Sequence, residues 1–494
     1  MISINGRDIV LDENEGLLPW TDYDHVIWLA MNFIRTCPVE PRSDLPWYLV
    51  YSCFWTDPLR PAIWPDNPAG KFAMAVETLQ RYYPYSGETW FIDVVRSMLN
   101  RLAVYSTPAE ADWPLLPYAS AEPVFGNYFG ARADGHYVIE PDKVAQAGLA
   151  YLTFFKMTGE SRYMELSVQC AGLLARKIRA GDESHSPWPF RVFAFSGEVV
   201  EEYSSQVIAA IKLFDQLIDL QVESAAKYEE ARQIAWRWLL HFPLRNNCWK
   251  GYFEDIRLDP QNINRDQYSA LETARYLLQH PDRDPNWAEH AGNLLRWVQE
   301  ELGADPFYKA MVIHEQKYCF HVMGSHTARY ASVCALYSSL TGDRTWADQA
   351  RLSFNWATYM ADENGWVRVG IDPPDYYNQC WFTDGYFDYV PHFLDGMASL
   401  PDLAPESTDH LLSTTSVIKQ ISYSPGGIRY STFDPSAQEL LKVTFRPSQV
   451  RCKNQPLSRK DAEDKGEGWC FQEEKRLLTI THIDSDVEIL GEKG

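Results

Sequence analysis

No apolar run in the 494-residue chain approaches the roughly 20 residues needed to cross a bilayer, so a membrane-spanning helix is not expected. The N-terminus, MISINGRDIVL, has neither a basic stretch nor a long apolar one. With no secretory leader visible, the expectation is a cytoplasmic protein, or a secreted one already trimmed. Positive charge is also short. Lys and Arg total 45 against 67 Asp and Glu, a formal charge of −22 that excludes a chain-wide grip on nucleic acid phosphates or an anionic membrane surface. The nine cysteines are dispersed, odd in number and form no CxxC pair, which argues against a disulfide framework or zinc ribbon and for a reducing compartment. Cys452 and Cys470 fall on candidate strands and read as two half-buried thiols rather than a bridge. Glycine-rich phosphate cradles, GxSxG elbows, GxGxxG fingerprints and HExxH are all missing, so no nucleotide, cofactor or metal is expected.

What is present is enough for a large core: 46% of residues are hydrophobic and 23% charged. Aromatic residues reach 14%, many in loop-like stretches such as PAIWPDNP (61–68), SPWPF (186–190) and NQCWFTDGYFDY (378–389). Rings outside helical stripes suit walls that stack on flat ligand faces. Helical periodicity runs from about residue 20 to 400. It predicts twelve helices near 20–36, 70–83, 88–105, 141–157, 161–179, 201–220, 225–241, 265–279, 285–301, 324–340, 344–360 and 385–399. The links YYPYSGETWF (82–91), FFKMTGESRY (154–163) and YSSLTGDRTW (337–346) repeat one grammar. An aromatic helix end is followed by a Ser/Thr-Gly-acidic turn and another aromatic. Gly87, Gly159 and Gly342 suit helix C-caps, and the acidic residue suits the next N-terminus.

Short links therefore alternate with long ones, at roughly 106–139, 180–200, 243–263, 302–323 and 361–384. Packed side by side, six hairpins close into an inner circle of helices inside an outer one, with every long loop at one end. That end is the functional face. After residue 405 the pattern changes to alternating strands, beginning SVIKQISYSPGGIRYSTFD (416–434), which predicts a small antiparallel β-domain over 406–494. Residues 1–15 read as a hairpin on Asn5-Gly6, a candidate to join that sheet. The expected organisation is a mainly α (α/α)6 toroid over 16–405 between these two β-segments.

Six helical hairpins with SGETWF, TGESRY and TGDRTW turns resemble the six-hairpin (α/α)6 glycosidase superfamily. The resemblance covers about 380 residues and lies in architecture and turn grammar. It implies action on carbohydrates by glycoside hydrolysis, polysaccharide β-elimination or sugar epimerisation. A toroid followed by β-structure also resembles some polysaccharide lyases, whose β-portions are usually far larger.

A glycosidase needs two carboxyl groups across the scissile bond, one protonated and one ionised. Where long loops enter inner helices, the candidates are Glu140, Asp142, Glu201, Glu202, Asp266, Glu315, Asp384 and Asp388. Helix-start capping competes for Asp142, Glu201, Glu202, Asp266 and Asp384. Glu315 precedes its helix by several residues, so Glu315 as acid and Asp384 as base form the favoured pair, with Asp266 and Asp142 as further catalytic candidates. Trp381, Tyr386, Trp188 and His136 are candidates for the substrate wall, and His314 and His326 for hydrogen bonds to hydroxyls. Arg265 and Arg329 are possible anion clamps. The leading expectation is a glycoside hydrolase on an oligo- or polysaccharide. The alternatives are a lyase on uronic-acid glycans, an epimerase built on histidines, or a non-catalytic carbohydrate-binding protein.

Overall fold

The computed structural model describes residues 3–56, 59–62, 67–119, 137–253, 263–304, 306–371, 379–461, 464 and 466–492. Twelve helices build the ring: α1 Tyr23–Arg35, α2 Pro68–Ser86, α3 Trp90–Val104, α4 Pro141–Thr158, α5 Ser161–Lys177, α6 Ile208–Asp219, α7 Ala225–His241, α8 Gln267–Gln279, α9 Trp287–Leu302, α10 Gly324–Thr341, α11 Arg344–Thr358 and α12 Val390–Ser399. Their ends follow local chemistry. Asn67 caps α2 by accepting from Gly70 N at 2.7 Å, ahead of Pro68 at the first helical position. A Cβ at residue 70 would lie 2.3 Å from the Asn67 side chain, so the cap itself demands glycine there. Gly87, Gly159 and Gly342 end α2, α4 and α10 in the left-handed conformation, with φ of 75°, 76° and 77°.

Helices α2, α4, α6, α8, α10 and α12 neighbour one another in that order and α12 returns to α2, closing the inner circle. Small residues permit the crowding. Gly148 of α4, for example, would place a Cβ 2.7 Å from Leu213 of α6. In α10 every residue from Gly324 to Ala335 is buried, so its first three turns have no solvent face. Helices α3, α5, α7, α9 and α11 are the outer partners of the preceding inner helices. The sixth pair is made by the two ends of the toroid, α1 packing on α12 with the Tyr23 and Phe393 rings 5.2 Å apart. The architecture is an (α/α)6 toroid.

The C-terminal strands form a two-layer antiparallel sandwich. One sheet has the order His410–Thr414, Ala437–Lys442, Leu477–His482, Gly468–Gln472. The other runs Ile418–Ser424, Gly427–Thr432, Asp486–Gly491, Pro447–Cys452, Gln455–Pro456. Alternation puts Ile428, Tyr430, Val450, Val487 and Ile489 inside and the residues between them outside. The sandwich seats on the short-link end of the ring: Ile421 N donates to Tyr83 Oη at 3.1 Å, and His410 stacks on Tyr85 at 3.8 Å. Cys452 and Cys470 lie in different sheets, and both are free thiols.

Three expectations need correction. The N-terminal hairpin, Ser3–Ile4 with Arg7–Asp8, does not join the C-terminal sheet; Arg7 pairs with Asp362 at 3.0 Å and Asn5 donates to Tyr359 O, tying it to the end of α11. The helix expected from 201 begins at 208. Val199–Glu201 instead pairs with Arg191–Phe193, and Ser205 N bonds to Lys250 O at 2.8 Å, so Glu201 and Glu202 are not in a first helical turn. Glu201 and Glu202 form ion pairs with Arg191 and Arg179. The last inner helix starts at Val390 rather than 385, behind a π-helical turn at Phe382–Phe387.

Candidate functional site

All five long connections lead into the N-termini of inner helices, so the starts of α4, α6, α8, α10 and α12 face one end of the ring. The centre of that end is polar. Lys143 of α4 is wholly buried, donates to Tyr252 O at 2.9 Å and sits 3.3 Å from the Tyr252 ring centre. Tyr252 stacks on Tyr268 of α8 at 3.7 Å and 8°, and the Arg329 guanidinium of α10 lies 4.1 Å from the Tyr268 ring centre. Two cations thus bracket two stacked rings across the circle, an arrangement that places positive charge on negative ring faces. Gln146 of α4 fixes the stack by donating to Tyr268 Oη at 2.9 Å. Gly251 makes the approach possible: its φ is 75° and a Cβ there would lie 2.1 Å from Tyr203 O.

Beneath the stack, Arg329 pairs with both Glu272 and Asp388. Glu272 also meets Lys212 at 3.1 Å and Arg275 at 3.2 Å. Burial raises the Glu272 carboxyl, but Lys212, Arg275 and Arg329 outweigh it and hold the group well below the usual range. Asp388 behaves likewise, with the Arg329 charge and the neighbouring His326 and His392 rings overcoming desolvation. His392 Nε2 lies 3.0 Å from Asp388, and burial followed by the Arg329 charge pushes His392 down to about 4. His326 Nδ1 faces Asp388 at 3.7 Å, while its Nε2 has no hydrogen-bond partner among the described residues.

Asp266 is the opposite kind of acid. It caps α8 through one oxygen, accepting from Ser269 N at 2.8 Å, and its Oδ2 has no partner among the described residues. Burial raises its carboxyl above the ordinary value, against the opposing pull of the cap, Lys143 and His326. The Glu315 loop lies beside it: Gln316 bridges to Asp266 in the backbone, and Gln316 Nε2 donates to Glu315 Oε1 at 3.2 Å. Asp142, in the first turn of α4, has its carboxylate 3.4 Å from Lys143 Nζ. Asp142, Asp266, His326 and Asp388 are all buried, with Glu315 at 9% exposure.

The other expected site residues are scattered in role. His314 stacks on Phe320 and its Nδ1 lies 2.9 Å from Leu302 O, while Arg265 donates to Asn264 O. Trp381 is half-buried against Met323 and Val369. Trp188 is packed in the core with its indole N–H on Leu174 O, and Tyr386 is fully buried with its hydroxyl on Gly365 O, so neither offers a face to the ring mouth. Arg329 has both terminal nitrogens engaged by carboxylates, which removes it as an open anion clamp. Asp384 falls in the π-helical turn, but its side chain lies outside the described residues, as does His136. Sequence reasoning missed Lys143, Gln146, Tyr252, Tyr268, Glu272 and His392. The usable signal was polar residues at helical spacing (Tyr268, Glu272 and Arg275; His326 and Arg329) on helices otherwise built from small or apolar residues. Among the described residues no group of three His, Cys, Asp or Glu side chains is placed to hold a metal ion, and no helix is long and apolar enough to cross a membrane.

No protein-family model matches the chain, and no curated protein matches it. Solved structures do. A sugar epimerase from a ruminal bacterium superposes with a TM-score of 0.56 at 10% identity, covering 76% of this chain and 98% of that one. The cellobiose 2-epimerase from Spirochaeta thermophila gives 0.55 at 12% identity, over 77% and 97%. A GH76 α-mannanase from Bacteroides thetaiotaomicron gives 0.52 at 10% identity, over 78% and 97%. The chain shares the (α/α)6 fold of these structures.

Proposed function

We propose that the protein is a carbohydrate-active enzyme, and specifically a glycoside hydrolase working at the long-loop end of the ring. The observation that carries the reading is Asp266. It is a buried carboxyl held towards its protonated form, with one oxygen fixed by a helix cap and the other without a partner among the described residues. A group in that state protonates a leaving glycosidic oxygen. Asp142 supplies the second carboxyl, facing the Lys143 ammonium and the positive end of α4. The fold neighbours, which include a mannanase and epimerases, support action on sugars without choosing between those reactions.

The test is Asp266→Asn, assayed by release of new reducing ends from a panel of oligosaccharides. Asn is as good a cap as Asp, so α8 keeps its start while the transferable proton is lost. The expected outcome is a fall in kcat of about 10²–10⁴-fold with an unchanged fold. Turnover within twofold of wild type overturns the assignment.

A second reading rests on His326, whose Nδ1 faces Asp388 while Nε2 has no partner among the described residues. That arrangement suits proton abstraction from a sugar carbon in epimerisation. Incubation in deuterium oxide separates the two: an epimerase leaves chain length unchanged and deposits deuterium on carbon, whereas a hydrolase shortens the chain and does not.

A further inference from the structure

The outward face of the five-stranded sheet and the α2–α3 end of the ring enclose a groove of about 860 Å³, at the opposite end of the ring from Asp266. Its floor is a cross-strand ladder. Arg429, Glu488 and Arg451 stand opposite one another on three neighbouring strands, and both guanidinium groups share the one carboxylate. One row along, Ser431 stands opposite Asp486, and Lys453 follows at the hairpin turn, where Lys453 and Asn454 have φ of 46° and 65°. Gln420 and Ser422 extend the polar surface on the adjacent strand. The lining therefore holds three cations against two carboxylates, in a chain whose net charge is −22. Arg429 and Lys453 are 74% and 72% exposed, and the Lys453 contact with Asp484 at 3.1 Å is a surface pair of little strength.

We propose that this groove is a second binding site, for an acidic oligosaccharide segment of the uronate type. The proposal rests on the carbohydrate reading of the ring for its ligand class, and on the groove's own chemistry for the charge. Arg429 spends Nε and Nη2 on Glu488, and Arg451 spends Nε on Gln449 and Nη1 on Glu488, which leaves each guanidinium one terminal nitrogen for a charged hydrogen bond to a ligand carboxylate. The hydroxyl and amide groups between them match sugar hydroxyls, and a ladder spaced at one strand separation of roughly 4.8 Å offers repeated contacts along an extended chain. Such a site would hold a polymer to the molecule while the ring acts on another part of it, raising the local concentration of substrate at the mouth.

The experiment is calorimetric titration of the full chain with tetragalacturonate, maltotetraose and tripolyphosphate, at two salt concentrations. Tetragalacturonate is expected to bind with an affinity that falls as salt rises. The Arg451→Gln/Lys453→Gln double variant is expected to weaken it about a hundredfold, since each of the two lost charged hydrogen bonds accounts for a factor of about ten. Arg429→Gln, altering the most exposed of the three cations, is expected to weaken it in the same direction. Asp266→Asn is expected to leave it unchanged. Four results overturn the proposal: no uronate binding at 10 mM, equal binding of maltotetraose, equally tight tripolyphosphate (simple charge attraction), or loss on Asp266→Asn, which would put the ligand in the ring mouth. If uronate binds the groove but no saccharide is turned over, the hydrolase reading fails alone; the converse result removes only the groove.

Discussion

Replacing Arg329 with Met removes a buried cation from between two buried carboxylates while keeping side-chain length. Arg329 is 1% exposed and pairs with Glu272 and Asp388. Glu272 retains Lys212 and Arg275, but Asp388 is left with His392 at 3.0 Å and His326 at 3.7 Å, neither a permanent cation. Breaking a buried pair from one side costs about 3–5 kcal/mol, because the desolvated charge left behind has lost its compensation. With a melting entropy of roughly 2.1 cal/mol/K per residue, a ring of about 400 residues unfolding as one unit would lose about 4–6 °C. The variant should also change the response to acid. Asp388 is depressed in the folded protein, so its stabilisation is complete above the unfolded carboxyl value of about 3.9 and drains away below it. In Arg329→Met that depression is relieved, so the difference in melting temperature should narrow as pH falls from 7 to 3. Scanning calorimetry across that range is the measurement. A difference under 1 °C at pH 7 refutes the reasoning, and an equal difference at both ends refutes the electrostatic part of it.

Asp266, raised by burial, opposes stability above the unfolded carboxyl value, so Asp266→Asn should melt at or above wild type at pH 7 and lose that advantage near pH 4. Calorimetry on the same variant used for activity checks this. His392 titrates near 4 when folded against 6.5 when free. The unfolded chain therefore takes up the proton first, and about 3 kcal/mol of stability should be lost as pH falls from 6.5 to 4, a slope that His392→Asn should flatten in chemical denaturation. Gly251→Ala would drive a methyl group into Tyr203 O and displace Tyr252 from Lys143 and Tyr268. Its kcat/KM should fall by at least tenfold, and wild-type kinetics in that variant would sever the stack from function.

The ring was legible because its rules are local: a 3.6-residue stripe for each helix and a left-handed glycine at Gly87, Gly159 and Gly342. Its closure was not, since nothing near Tyr23 says that its partner is Phe393. Asp142, Asp266, His326 and Arg329 were readable as residues at inner helix starts, and topology alone brings those starts to one end. Their chemistry was not readable. Whether Arg329 meets a substrate or two carboxylates depends on Glu272 and Asp388, one on a neighbouring helix and one at the start of the next. Trp188 and Tyr386 misled for a related reason: Pro and Gly neighbours make an aromatic look like a loop platform, although both rings fill the core.

Because the sixth helical pair joins α1 to α12, the toroid cannot be finished in the order in which a ribosome makes it. Through most of synthesis the growing arc ends in two unpaired seams, each carrying the apolar flank of an inner helix, and the nascent chain must shield them until residue 399 has emerged. Early contacts can be neighbour-to-neighbour and quick. The last one spans some 370 residues, so the final latch sets the pace of maturation, and it is the step at which a chaperone would have most to do.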